Sequence, residues 1–302
     1  MSEMIFSPAV AEAIQMGRPV VALESTIFSN LGLPSPANEE ALERTLAAVR
    51  GAGAEPAVTA IMDGSVRVGL DGADYGRILG AAVKTAERDI PAAIADRVPV
   101  GATTVSASLA IAARAEIQVF ATGGIGGVHH GSADTGDVSA DLGAISRQPV
   151  LTVAAGAKAF LDISGTLEYL ETLSVPVVGY QTDEFPMFYA RSSGLPVSTR
   201  LDSPDEVAGL VIERLTWSTG GVLLAVPIPE EDALSSEEIR AGMADALATA
   251  SQRGIVGAAI TPFVLGEISR ILDGRNIPAN IALAENNARV AGEVAVAMGS
   301  QN

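Results

Sequence analysis

"VFATGGIGGVHHGSADTGDVSADL", residues 119–142, is the stretch on which the reading of the fold turns. Val119 to Ala121 has the character of a buried strand. Hydrophobicity then stops at once, in a loop that holds six glycines, three aspartates and both histidines of the chain. Outward from it the same change of character recurs. "RPVVALEST" (18–26), "VPVVGYQT" (175–182) and "GGVLLAVPIP" (220–229) read as strands. "SPANEEALERTLAAVRGAG" (35–53) opens with a Pro/Asn helix start and stops at Gly51 and Gly53. "TTVSASLAIAARAEI", "DEVAGLVIERLTWS", "SSEEIRAGMADALATASQRG", "TPFVLGEISRIL" and "NIALAENNARVAGEVAVAM" carry helical patterns. In "EPAVTAIMDGSVRVGL", Asp63-Gly64 between two apolar runs predicts a hairpin. The alternation predicts an α/β protein, with helices covering a largely parallel sheet that carries one antiparallel hairpin. Neither a repeat nor a linker divides the sequence, so residues 1–302 read as a single domain.

Composition narrows the function. Of 302 residues 48% are hydrophobic and 18% charged, a globular balance. Apolar runs are broken well short of a membrane span, and "MSEMIFSPAVAEAIQMGRP" lacks the basic start of a signal peptide. A cytoplasmic protein with no membrane partner is expected. The net charge of -17 argues against nucleic-acid binding. The absence of cysteine excludes disulfides, thiolate catalysis and cysteine zinc sites.

Of 19 basic residues only two are lysine, Lys84 and Lys158. A bias toward arginine accounts for the scarcity. It also singles out the exceptions, because an amine can lose its proton and attack a carbonyl, and a guanidinium cannot. Lys158 follows a strand in "PVLTVAAGAKAFLDI", among small apolar residues and ahead of a helix pattern, as a desolvated amine at a strand end would. Lys84, in "GRILGAAVKTAERDIP", reads as a lysine near the end of a helix closed by Pro91. There a solvated side chain in the last turn fits as well. Glu24 ends the strand "VVALE". Burial there would raise its pKa and suit a general acid, although an exposed glutamate capping the next turn fits the same residues.

In "DTGDVSADL", Asp137, Ser139 and Asp141 would share one face of an extended chain. They would offer hard oxygen ligands for Mg²⁺ or Mn²⁺, with the glycines closing backbone N–H groups on an anion. Aspartates in such loops also serve simply as turn formers. Other motifs fail. Gly124-x-Gly126 is followed by His129 where a dinucleotide fingerprint needs glycine. There is no Walker A sequence, and Ser25 lacks the glycines of a nucleophile elbow. His129 and His130, adjacent in an extended chain, would point apart and make a poor metal pair.

In order along the chain, "RPVVALEST", "RDIP", "GATTVSAS", "VFATGGIGGVH", "DVSADL", "AGAK", "TLEYLETLSVPVVGYQT", "VPIPE", "TPF" and "NNA" resemble the pseudouridine-5′-phosphate glycosidase, or indigoidine synthase A-like, family over nearly the whole chain. The resemblance implies a three-layer α/β/α trimer around a mixed, largely parallel sheet. It implies cleavage or formation of a C-glycosidic bond between C1 of ribose 5-phosphate and a planar aglycone, as in pseudouridine 5′-phosphate and water giving uracil and ribose 5-phosphate. Lys158 would form the Schiff base to C1 of the ring-opened sugar. Glu24 would be the proton donor, and Lys84 would contact the substrate and assist ring opening. Asp137 would hold Mn²⁺ largely through water. Val105, Ser139, Ala140 and Asp141 would touch the substrate, with His129 and Asn280 as further pocket residues and Asn280 toward the base. The chemistry agrees with the residues. Breaking a C–C bond to a ribosyl carbon needs an electron sink on the sugar, which an iminium supplies while an acid protonates the departing carbon.

Four places depart from the family pattern: Asn30-Leu31 in "NLGLP", His130, Val226 and Ala258. Subfamily drift with uracil kept is one explanation. The other is a changed aglycone, as in the alnumycin enzyme of this family, which joins ribose 5-phosphate to an aromatic polyketide. A third possibility, of another class, is a non-catalytic sugar-phosphate-binding protein. Retention of both lysines, Glu24 and Asp137 speaks against it.

Overall fold

The computed structural model describes residues 4–255 and 260–301, which leaves Ala258 outside the described residues. The chain begins with β1 (Met4–Phe6), α1 (Pro8–Gln15), β2 (Val20–Leu23), α2 (Ala37–Gly51), β3 (Glu55–Met62) and β4 (Ser65–Val68). It continues through α3 (Gly72–Ile78), β5 (Val83–Thr85), α4 (Ile90–Ala95), β6 (Gly101–Thr103), α5 (Val105–Arg114) and β7 (Val119–Ala121). Then follow α6 (Ser132–Thr135), α7 (Ala140–Arg147), β8 (Leu151–Ala154), α8 (Ile163–Thr172), β9 (Val177–Tyr180) and β10 (Thr199–Leu201). The last elements are α9 (Pro204–Trp217), β11 (Val222–Ala225), α10 (Ser236–Gln252), α11 (Ile260–Ile271) and α12 (Asn276–Gln301).

The strands form one mixed sheet in the order β1-β4-β3-β2-β7-β8-β11-β9-β10, from which β6 and then β5 branch off β3. The pairs β3–β4 and β3–β6 are antiparallel, and the other ladders are parallel. β3 makes the branch possible. Its first half runs beside β2 and its second half pairs with β4 and β6. Alternate side chains serve two cores, as the pleat requires. Val21, Leu23, Val119 and Ala121 join residues of α2, α9 and α12. Ala22 and Phe120 join residues of α1, α5, α7 and α8. The result is the three-layer α/β/α arrangement. The predicted hairpin is present, with Asp63 (φ 51) and Gly64 (φ 84) both in the left-handed region that a two-residue turn demands.

The region of Lys84 differs from its sequence reading. The helix α3 ends at Ile78, and Lys84 lies on the strand β5, where it is exposed. Pro91 opens α4 and does not close a helix, a position where its missing N–H costs nothing. The shared extended face of residues 137–141 is also absent. The Ser139 hydroxyl accepts the Asp141 N–H at 3.2 Å and caps α7, so Asp141 lies inside the first helical turn.

Candidate active site

β2, β7 and β8 are adjacent and parallel, so their carboxyl ends open on one edge of the sheet. That edge is where sites form in open α/β folds. Glu24 is the first residue beyond β2, Thr122 the first beyond β7, and Lys158 lies four residues beyond β8. Glu24 is 6% exposed, and the Thr122 hydroxyl donates a short hydrogen bond to its Oε1. Burial pushes the Glu24 carboxyl above its ordinary pKa. The Lys158 charge, the Thr122 hydrogen bond and the more weakly felt Lys84 oppose that rise, while the neighbouring Asp141 reinforces it. Both lysines are thus close enough to act on the buried acid.

Lys158 is half-buried and held by its backbone. Its N–H donates to Ile125 O at 3.0 Å, and its carbonyl accepts from Leu161 N–H at 3.0 Å. The turn that delivers it needs Gly156, whose φ is 75° and whose missing Cβ would lie 2.2 Å from Pro186 O. Lys84, on β5, reaches the same edge through its neighbour β6. The Thr103 carbonyl accepts the N–H groups of Ser25 at 3.3 Å and Thr26 at 3.2 Å, and β5 pairs with β6 through Lys84↔Ala102 and Thr85↔Thr103.

The glycine loop 123–127 binds an anion, and that anion is the protein's own. The carboxylate of Asp141, buried at 6% exposure, accepts Gly126 N–H at 2.8 Å and Ser106 N–H at 3.0 Å. It thereby joins the starts of α5 and α7 to the loop, close to Val105, which is buried at the first position of α5. Each oxygen of this carboxylate thus accepts one backbone N–H. At Gly126 a Cβ would meet Ser139 Oγ at 2.2 Å, which fixes why glycine stands there.

Asp137 is exposed, with Oδ2 3.9 Å from Nδ1 of the half-buried His129. His129 also donates its backbone N–H to Asp137 O at 3.1 Å and lies 6.0 Å from the Phe160 ring. His130 is exposed, and Ser139 and Ala140 line the start of α7 beside them. Asn280 sits on α12 across from Gly123, where a Cβ would be 3.4 Å from its Oδ1. That amide oxygen is buried without a partner. Burial pushes the Tyr189 hydroxyl up to about 12, with the nearby Asn276 and Asn280 opposing the rise. Val226, just past β11, is buried and donates its N–H to Ala154 O at 2.8 Å.

Two residues escaped the sequence reading. Thr122, in "FATGG", reads as a strand former and turns out to hold the acid. Asn287 is fully buried on α12 and donates from Nδ2 to Thr122 O at 2.8 Å and Gly123 O at 3.1 Å. An amide at helical spacing from Leu283, Ala284, Val290 and Ala291 was the available signal. Buried polar groups are retained where they bond.

A family model described as indigoidine synthase A like protein matches residues 9–297. The chain belongs to the indigoidine synthase A-like family. Within this family, a pseudouridine-5′-phosphate glycosidase of Herpetosiphon aurantiacus is 48% identical over 99% of both chains. One of Methylobacterium nodulans is 47% identical over 97% of this chain and 87% of its own length. Among solved structures, the prealnumycin C-glycosynthase AlnA in complex with ribulose 5-phosphate superposes with a TM-score of 0.92 at 40% identity, over 99% of this chain and 97% of that one. An indigoidine synthase A-like protein of Thermotoga maritima gives 0.87 at 33% identity, with the same coverage. Among the described residues no helix is long and apolar enough to cross a membrane.

Proposed function

We propose that this protein is an enzyme that breaks or makes the C-glycosidic bond between C1 of ribose 5-phosphate and a carbon of a planar aglycone. The observation that carries the proposal is a buried acid, Glu24, under the charge of Lys158 at the carboxyl ends of adjacent strands. The family relatives named above support it.

In the cleavage direction the Lys158 amine adds to C1 and the sugar ring oxygen leaves as a hydroxyl. Lys84 contacts the sugar phosphate and assists that opening. Glu24, whose burial favours the protonated form, transfers its proton to the aglycone carbon attached to C1. The lone pair of the C1 nitrogen forms the iminium as the C–C bond breaks, and the electron pair of that bond restores the aglycone ring. Water then hydrolyses the iminium to the C1 aldehyde and frees Lys158. Arginine could not replace Lys158, since its guanidinium stays charged.

Asp137 would hold Mn²⁺. Among the described residues no three His, Cys, Asp or Glu side chains converge as a cage. A lone exposed carboxylate with His129 beside it fits a hard cation that keeps most of its waters, and does not fit a closed protein site. When bound, the cation supplies positive charge for the substrate phosphate. The protein is further proposed to be a homotrimer of the cytoplasm.

The aglycone is either uracil or an aromatic of polyketide type. The glycosidases at 47–48% identity favour the first, and the superposition on the C-glycosynthase favours the second. The test is incubation with Mn²⁺, ribose 5-phosphate and either uracil or a naphthoquinone-type aromatic, with borohydride added in parallel samples. A C-riboside with one of the two and a reduced sugar adduct on Lys158 are expected. Lys158→Ala abolishes both. An adduct-free Lys158, or full turnover by the variant, defeats the proposal.

A further inference from the structure

The loop that follows Glu24 is tied to the segment that leads into Lys84 by two asparagines. Asn38, buried on α2, donates from Nδ2 to Phe28 O at 3.0 Å and to Leu79 O at 3.1 Å. Asn30, at the exposed tip of the loop, donates its N–H to Gly80 O at 3.3 Å and accepts Ala82 N–H on Oδ1 at 3.2 Å. The loop is stiff in itself. Leu33 N–H reaches Ile27 O at 3.1 Å, the Ser29 hydroxyl donates to Thr26 O at 2.9 Å, and Leu31 N–H returns to that hydroxyl at 3.2 Å. At Gly32 a Cβ would lie 2.5 Å from Ile27 Cα, so the loop closes on its own backbone.

β5, which carries Lys84, needs such support. It has three residues and pairs only with β6 among the described strands. The residues before it, Gly80 to Ala82, belong to no regular element. β6 fixes one side of Lys84, and the asparagines fix its approach.

We propose that Asn30 and Asn38 are positioning residues that hold Lys84 at a set distance from Glu24 and Lys158, through the backbone of residues 79–82. The proposal rests on Lys84 contacting the sugar phosphate, as set out above. Asn30 offers the cleaner test, because its side chain is exposed and its loss leaves the cores untouched.

The experiment is steady-state C-riboside formation from ribose 5-phosphate and whichever of uracil or the naphthoquinone-type aromatic the parent accepts, by Asn30→Ala, Asn30→Asp, Lys84→Ala and the double variant Asn30→Ala/Lys84→Ala. Misplacement of a contact group by about an ångström costs on the order of 10–100-fold, so Asn30→Ala should lose that much in kcat/KM, chiefly through KM. It should unfold at the temperature of the parent and still give the borohydride adduct at Lys158 under saturating sugar. Asn30→Asp keeps an acceptor for Ala82 N–H and should restore most of the activity. Because Asn30 acts through Lys84, the double variant should be no worse than Lys84→Ala alone. An Asn30→Ala enzyme with parental KM, or losses that multiply in the double variant, overturns the proposal while leaving the role of Lys84 intact. A fully active Lys84→Ala enzyme overturns that role, and the proposal falls with it.

Discussion

Glu24 owes its chemistry to burial. Burial at 6% exposure raises its pKa above the ordinary 4.5, against the opposing hydrogen bond from Thr122. The same shift acts on stability. A group whose folded pKa is raised favours the native state fully below the unfolded value, and this contribution is lost as pH rises through the folded value. Glu24→Gln cannot ionise, so it should melt above the parent at neutral pH, with the difference closing as pH falls through the raised folded value and gone by about 4.5. Calorimetry across that range checks it, and a constant difference at every pH counts against the assignment. Activity should be lost in the same variant, since an amide has no proton to give. At this scale the sequence was readable wherever a polar residue closes an apolar run, as Glu24 does after "VVAL" and Lys158 does after "VAAGA". Thr122 and Asn287 were not readable. Each does its work through a bond to a residue distant in the chain, and no local pattern records such a bond.

Among the elements, Asp141 joins α5, α7 and the glycine loop through two backbone N–H groups. Asp141→Ala leaves both donors buried without an acceptor, which should cost on the order of 2–3 kcal/mol or more. Urea unfolding measures it, and a change within about 0.5 kcal/mol, the level of an ordinary surface substitution, would mean the loop has another anchor. The long strands and the capped helices were legible because period and turn chemistry agree over many residues. β5 and β6 were not. Each has three residues, and each is a strand only because a partner lies beside it. The extended reading of residues 137–141 failed for a local reason. Ser139 is followed by Asp141, and a serine before an acid in the first turn is a helix start that the glycines around it obscured.

For the whole molecule, the proposed trimer is settled by mass. Light scattering behind size exclusion should return three times the 30.7 kDa of the chain, and a single-chain mass would refute it. The α/β/α layering was evident from the alternation along the sequence, because two-sided cores leave near-continuous apolar strands between amphipathic helices. The branching of the sheet at β3 was hidden, since one strand there serves parallel and antiparallel neighbours in its two halves. The scarcity of lysine gives the molecule a built-in reporter. A lysine-specific protease has two side chains to cut behind, Lys84 and Lys158, and so divides the denatured chain into residues 1–84, 85–158 and 159–302. A sugar reduced onto Lys158 blocks the second cut and fuses the last two fragments into one. Occupancy of the nucleophile can therefore be weighed on a gel, with no label and no assay of product.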